Sequence, residues 1–308
     1  MAKKSKRMVE FEDLPEPCIA TILSHTTPID TCRLSVVSKT FHSASDSDDV
    51  WNRFLPSDSN LIDSIFSRYP HLANPPSKKA LFRALSDSDL MIIDDGKKSF
   101  QLDKKSGKIF YMLSARSLTT TDCKSSARRK KKWISVRESR FPKVLKLGLV
   151  SRLEIHGMIS SLSLSPNTEY VAYLVFKMSG ASGLEKEPAK LSIGVEGGPC
   201  ITKSVCLDPD VERRHTHTHT RTRRCKCRVS RRPPKRVPKR IARLQHPFER
   251  NDGWLEIEIG TFFNSSLKDK EVRMSLIQEN SGLSIINFLL EGIEVRPTYY
   301  AGSCILDN

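Results

Sequence analysis

At Ser99 the spacing of apolar residues switches from helical to two-residue, and that switch constrains the fold more than any other feature of the chain. Ser99 to Leu102, the Lys104-Lys105-Ser106-Gly107 turn and Ile109 to Leu113 read as a β-hairpin. Strand character recurs at Leu149 to Ile155, Tyr170 to Met178, Leu191 to Val195, Trp254 to Phe263, Val272 to Ile277 and Phe288 to Val295. Leu255, Ile257 and Ile259 alternate with Glu256 and Glu258, which predicts one apolar face and one solvated carboxylate face. Val272, Met274 and Leu276 alternate with Arg273 and Ser275 in the same way. Tyr170 to Phe176 lacks alternation, as expected of a central strand covered on both faces. Strands punctuated by Gly, Pro and Asn turns, with little helix between them, predict an antiparallel sandwich.

Upstream the pattern is helical. Pro15 sits where a first helical turn tolerates a missing N–H, and Ile19, Ile22 and Leu23 form a short apolar stripe. Pro28, behind the capping residue Thr27, opens a second helix carrying Cys32, Val36 and Val37. Ser38, with Asp46 and Asp48 beyond it, restarts the chain into helices holding Phe41, then Val50, Trp51, Phe54 and Leu55. Three or four short helices in about forty residues bury little surface, so this module is read first as a binding element whose surplus apolar surface needs a partner. The alternative is that the same residues pack inside an ordinary helical subdomain. From 58 to 98 the chain reads as a helical connector. Leu61, Ile62, Ile65 and Phe66 form one stripe, ended by Pro70 and Asn74-Pro75-Pro76, and Ser77 caps a helix with Leu81, Phe82 and Leu85 inside.

Leu14-Pro15, the stretch Cys32-Arg33-Leu34-Ser35-Val36-Val37-Ser38-Lys39 and Trp51 together resemble the F-box, and CRLSVVSKTF is similar to plant F-box proteins related to phloem protein two. The resemblance implies docking onto the Skp-type adaptor of a Skp–cullin–F-box ubiquitin ligase, and through it a cullin. It implies that Leu14, Pro15, Ile19, Ile22 and Leu23 meet the adaptor with Cys32, Val36 and Val37 nearby, while Trp51 and Phe41 fill the module's own core. Downstream, KSFQLDKKSGKIFYMLSARSL, WISVRESRFPKV, LEIHG, LSPNTEYVAYLVFK, DGWLEIEIGTFFN and GIEVRP resemble the phloem-protein-two, or Nictaba-like, lectin domain from about Ser99 to Pro297. That family implies a β-sandwich whose ligands are N-acetylglucosamine oligomers and glycans of glycoproteins. The chain thus divides into a basic tail (1–9), an F-box (10–57), the connector (58–98), a lectin-like sandwich (99–299) and a tail (300–308). The fold class is α+β.

This copy departs from the lectin pattern where sugar recognition needs flat aromatic faces. Asp122 stands where the family has a first tryptophan, a second is replaced near Arg128 or Arg129, and Arg152 occupies a position that is often Trp in relatives. Trp133 and Trp254 remain; Trp133 is the candidate carbohydrate contact, and Trp254, beside Gly253 on an alternating strand, is read as structural. Each missing stacking contact is worth about 0.5–1.5 kcal/mol by analogy with aromatic pairs, enough to weaken the lectin inference while leaving the fold inference intact.

The net charge of +16 is concentrated: 14 Lys and Arg against 1 acidic residue between Glu212 and Arg243 give that segment +13. It lies in an insertion from 197 to 248 whose His-Thr alternation, Arg213 to Arg224, is low in complexity and predicts disorder, with an unspliced intron or recent expansion as its origin. His215, His217, His219, Cys225 and Cys227 match no zinc-module spacing, so no metal is assigned. Arg231 to Arg240 is a candidate nuclear import signal or nonspecific nucleic-acid contact, against the plain reading of a solvated basic loop.

No phosphate-binding glycine loop, nucleophile elbow or metalloprotease helix is present in the sequence. His25, His42 and His156 are isolated, and Glu256 with Glu258 reads as a solvated strand face rather than a glycosidase pair. Cys123, beside a basic run, stands without other signs of a nucleophile. No enzyme activity and no cofactor are therefore expected. Scattered cysteines and no signal-peptide core point to a cytoplasmic or nuclear setting, and no apolar run is long enough for a membrane span. The expected function is a non-catalytic substrate receptor of a ubiquitin ligase whose lectin-like domain presents a protein or glycoprotein target. A stand-alone carbohydrate-binding lectin is the alternative, and a basic nucleic-acid binder acting through 212–243 the second alternative.

Overall fold

A computed structural model describes residues 14–120, 131–178, 187–209, 239–265 and 268–298, with backbone alone at 149–151 and 280–287. Six helices lead: α1 (Glu16–Ser24), α2 (Pro28–Leu34), α3 (Lys39–Asp46), α4 (Asp48–Asn52), α5 (Ser59–Arg68) and α6 (Lys78–Asp87). Side-chain oxygens satisfy otherwise orphaned N–H groups at most of their starts. Thr27 accepts from Asp30 N, Ser38 from Phe41 N and Ser77 from Ala80 N, as the sequence predicts. At α4 the cap is Ser47, between the two aspartates. Phe41 and Trp51 fill the helical core, and the Trp51 indole N–H donates to Ser45 O at 2.7 Å. Trp51 meets Phe54 edge-on at 5.8 Å and Phe82 of α6 at 5.1 Å, so an aromatic cluster ties the first four helices to the connector.

The strands are β1 (Met91–Ile93), β2 (Lys98–Leu102), β3 (Ile109–Ser114), β4 (Thr119–Thr120), β5 (Lys132–Ile134), β6 (Val144–Ser160), β7 (Thr168–Met178), β8 (Ala189–Val195), β9 (Cys200–Val205), β10 (Phe248–Glu249), β11 (Leu255–Asn264) and β12 (Glu271–Pro297). Two of them belong to both layers of an antiparallel sandwich. They are β6 and β12: β12 pairs with β8 over its first part and with β3 and β7 over its last part, and β6 runs beside it in both, from Glu271↔Ser160 to Leu290↔Leu145. One layer therefore runs β1-β2-β3-β12-β7-β11-β10, and the other is built from β4, β6, β12, β8 and β9. The layers touch where side chains are missing: a Cβ on Gly260 would stand 2.6 Å from Ile193, and one on Gly157 would stand 3.0 Å from Ile293. β7 is buried along most of its length, as its continuous apolar run predicts.

Two boundaries differ from the sequence reading. The connector does not stay helical to residue 98, because β1 already pairs with β2 at the sheet edge. The insertion does not begin at 197, because Gly197, at φ +75°, turns the chain into β9, which pairs with β8. Its far end returns as a short helix (Lys239–Ala242) whose Ile241 packs on Cys206, and Cys206 N donates to Gln245 O at 3.0 Å. The His-Thr run, the candidate metal ligands His215, His217, His219, Cys225 and Cys227, and the sequence Arg231 to Pro238 lie outside the described residues.

A Cβ on Gly292 would lie 2.0 Å from the Leu113 carbonyl oxygen, so backbone rather than a movable side chain blocks it. Gly292→Ala is expected to force β3 and β12 apart and lower stability by about 1–3 kcal/mol or more. Denaturant unfolding, read as a lowered midpoint at unchanged slope, checks this.

Candidate functional site

The helical module carries two faces on α1. Ile19, Ala20 and Leu23 point into the core, whereas Pro15, Cys18 and Ile22 are exposed, spaced three and four residues apart on the opposite side. Two of the residues expected to meet the adaptor thus do something else: Ile19 and Leu23 are wholly buried against the module's own core and support the surface from beneath. Leu14 is half-buried against the same core. Cys32 is exposed on α2. Val36 and Val37 fall in the turn between α2 and α3, where they are 84% and 59% exposed. That turn is well held: Val37 N donates to Leu34 O at 3.1 Å, and the Ser38 cap follows at once. Two large β-branched side chains displayed on an ordered turn are surplus to folding, since the core behind them is closed without them. Cys18 was not singled out by sequence; its four-residue offset from Ile22 is the signal that finds it.

On the sandwich, Trp133 is 45% exposed on β5, paired across from Leu145 of β6. Asp122, Cys123, Arg128 and Arg129 lie outside the described residues. Arg152 points to solvent and bridges Glu154 and Glu279. Trp254 is fully buried, its indole N–H donating to Glu138 O at 3.0 Å with the Lys177 ammonium 4.9 Å from its ring centroid. Residues 134–141 cross the outer face of the first layer and cover it, packing Phe141 with Met112, Val144, Val175 and Trp254. Trp254 is therefore a packing residue and unavailable to a ligand.

The same outer face overturns the expectation of a solvated carboxylate pair. Glu256 is buried and held by Arg296 at 2.8 Å, with Arg250 at 3.7 Å. Glu294 receives Arg140 at 2.9 Å and Arg250 at 2.7 Å, and the Arg296 guanidinium lies 3.9 Å over the Tyr173 ring. Glu258 is only partly exposed and pairs with Lys203 at 2.8 Å. Arginines from distant segments cover a face that alternation alone assigns to water. Glu291 accepts from Ser139 Oγ and Arg140 N, and burial pushes its carboxyl up despite those donors and the Arg140 charge. At Glu294 burial also pushes upward, but Arg140, Arg250 and Arg296 outweigh it and hold the carboxyl at about 2. This network latches the 134–141 strap and the turn before Trp254 onto the sheet. Among the described residues no group of three or more His, Cys, Asp or Glu could hold a metal ion.

A helical module that displays an apolar turn is thus joined to a closed antiparallel sandwich. The F-box domain model matches residues 11–53, and the phloem protein 2 model matches residues 108–297. F-box protein PP2-B15 of Arabidopsis thaliana is 41% identical over 288 residues, covering 92% of this chain and 96% of its own. F-box protein VBF of the same plant is 39% identical over 289 residues, covering 92% and 98%. Among solved structures, TmCBM61 in complex with beta-1,4-galactotriose has a TM-score of 0.29 at 8% identity, covering 58% of this chain and 88% of its own, too slight a likeness to bear on ligand. The chain belongs to the F-box proteins that carry a phloem protein 2 domain. No helix among the described residues is long and apolar enough to cross a membrane.

The depressed Glu294 carboxyl gives a signed pH prediction. Its folded value lies below the usual 4.5, so its contribution is fully present above 4.5 and is lost as pH falls toward about 2. Glu294→Gln is expected to lower stability at pH 7 and to flatten the acid limb between pH 4.5 and 2, measured by thermal unfolding across that range.

Proposed function

We propose that this chain is the substrate-receptor subunit of a Skp–cullin–F-box ubiquitin ligase, with the helical module docking to the Skp-type adaptor and the sandwich recognising a protein or glycoprotein target. The observation that carries this reading is the exposed apolar set on the helices: Val36 and Val37 on their turn, with Pro15, Cys18, Ile22 and Cys32 on α1 and α2. These side chains are exposed, whereas Ile19 and Leu23 behind them are fully buried. The subunit itself is non-catalytic: it raises the effective concentration of a target beside a charged conjugating enzyme, and the covalent chemistry stays with its partners. Its setting is cytoplasmic or nuclear, where that machinery works.

Adaptor pull-down tests this. Wild type is expected to retain the adaptor, while Val36→Asp with Val37→Asp, placed on solvent and so sparing the fold, is expected to weaken capture by at least about ten-fold, as for central apolar contacts of an interface. Retention of full capture by a folded double variant, or none by wild type, defeats the proposal.

Glycan recognition by the sandwich rests on Trp133, an aromatic face open to solvent while Trp254 is enclosed. Binding of N-acetylglucosamine oligomers on a glycan array, abolished in Trp133→Ala, is the expected signature of a glycoprotein target. A silent array points to a polypeptide target.

A further inference from the structure

The helical part of the chain, F-box and connector together, and the sandwich meet along a joint tied at three separate places. The tip of the β2–β3 hairpin is Gly107, at φ +66°, where a Cβ would stand 2.9 Å from Pro28 and 3.2 Å from the Phe54 ring. Both the backbone angle and the closeness exclude a side chain there. Ser163, beyond β6, hydrogen-bonds Asp58, whose carboxylate also caps α5 by accepting from Asn60 N. The Tyr69 hydroxyl accepts from Ile92 N at 3.2 Å and donates to Ile92 O at 3.3 Å, pinning the end of α5 to β1. Between β1 and β2, Asp94, Asp95 and Gly96 are successive left-handed residues, at φ 50°, 51° and 81°. Such a run persists only where surroundings over-determine it; here Lys98 pairs with Asp94 at 2.7 Å and Arg116 donates to Asp95 O at 3.2 Å.

Domains of one chain move against each other by default unless the interface between them is large and apolar. Here a single buried cluster runs without a break from Ile19 of α1 to Val295 of β12. We infer that the F-box and the sandwich form one rigid receptor body, and that Gly107 is the positioning residue that sets the sandwich's orientation relative to the exposed helical face. No single loop can act as a hinge, because each tie holds a different segment. The rigidity belongs to the free chain; only its meaning for target placement rests on the proposed docking.

Pulsed electron–electron distance measurement tests it on the full chain without adaptor. Nitroxides go on His42→Cys of α3 and Ser204→Cys of β9, both exposed, with every native cysteine except buried Cys206 replaced by serine. One narrow distance is expected, and Gly107→Val is expected to broaden it or add a second. A broad distribution in the parent chain overturns the rigid body, and a narrow, unmoved peak in folded Gly107→Val overturns the role of Gly107. Should Gly107→Val fail to fold, Tyr69→Phe with Ser163→Ala is expected to broaden the peak, and an unmoved peak there counts against the joint. Because the sample holds no adaptor, failed adaptor capture and failed rigidity remain separate results.

Discussion

A continuous apolar core, threaded from the first helix to the last strand, is the constraint on which the rest of this molecule depends. Four short helices could not by themselves bury enough surface to be stable. They are completed from two sides within the chain: Phe82 of α6 closes on Trp51, and the β-hairpin tip closes on Pro28 and Phe54. This changes the meaning of the exposed valines. In an unfinished helical cluster, exposed apolar residues would mark a folding deficit. In a cluster already completed from within, Val36 and Val37 remain exposed after folding has taken what it needs.

The sandwich shows the same economy in reverse. β6 and β12 each cross from one layer to the other, so the layers cannot be separated without breaking continuous strands. The outer face of the first layer is then closed by the 134–141 strap, held by the arginine–glutamate network and by Glu291. Burial of charge at Glu256 and Glu294 is tolerable because each meets at least one guanidinium at hydrogen-bonding distance. Enclosing Trp254 beneath the strap removes one aromatic from solvent and leaves Trp133, at the strap's origin, as the exposed tryptophan.

Much of this was legible in the sequence because alternation, capping and turn chemistry act locally. The 99–113 hairpin, the α2, α3 and α6 caps and the buried run of β7 all follow from residues within one element of each other. What escaped was set by distant partners. Glu256 reads as solvated until Arg296, forty residues on, is folded over it. Ile19 and Leu23 share an apolar stripe with Ile22, and only the packing of α3 and α4 against α1 decides which side faces inward. The two strands read at Val272–Ile277 and Phe288–Val295 are one, since the polar stretch between them passes through the crossover between layers rather than through a loop. Val36 and Val37 were singled out through the family resemblance, whereas Cys18 shows itself only once its four-residue offset from Ile22 is set against the buried side of α1.

On the proposed reading, a docking face built on a finished fold has a thermodynamic consequence. A helical module that ordered only on binding would spend part of its interaction free energy on that ordering, and would bind with the heat-capacity signature of coupled folding. Here the turn bearing Val36 and Val37 is fixed beforehand by the Leu34 carbonyl and the Ser38 cap. Nearly all of the desolvation gained at those side chains is then available to association. The same preorganisation passes through Pro28 and Phe54 to the hairpin tip, and so to the sandwich. On the proposed reading, a target bound by the sandwich is carried at a set offset from the ligase scaffold, and the gain in effective concentration falls on the few target lysines within that reach rather than on its whole surface. Selection among lysines would then be a property of the joint as much as of the recognition surface.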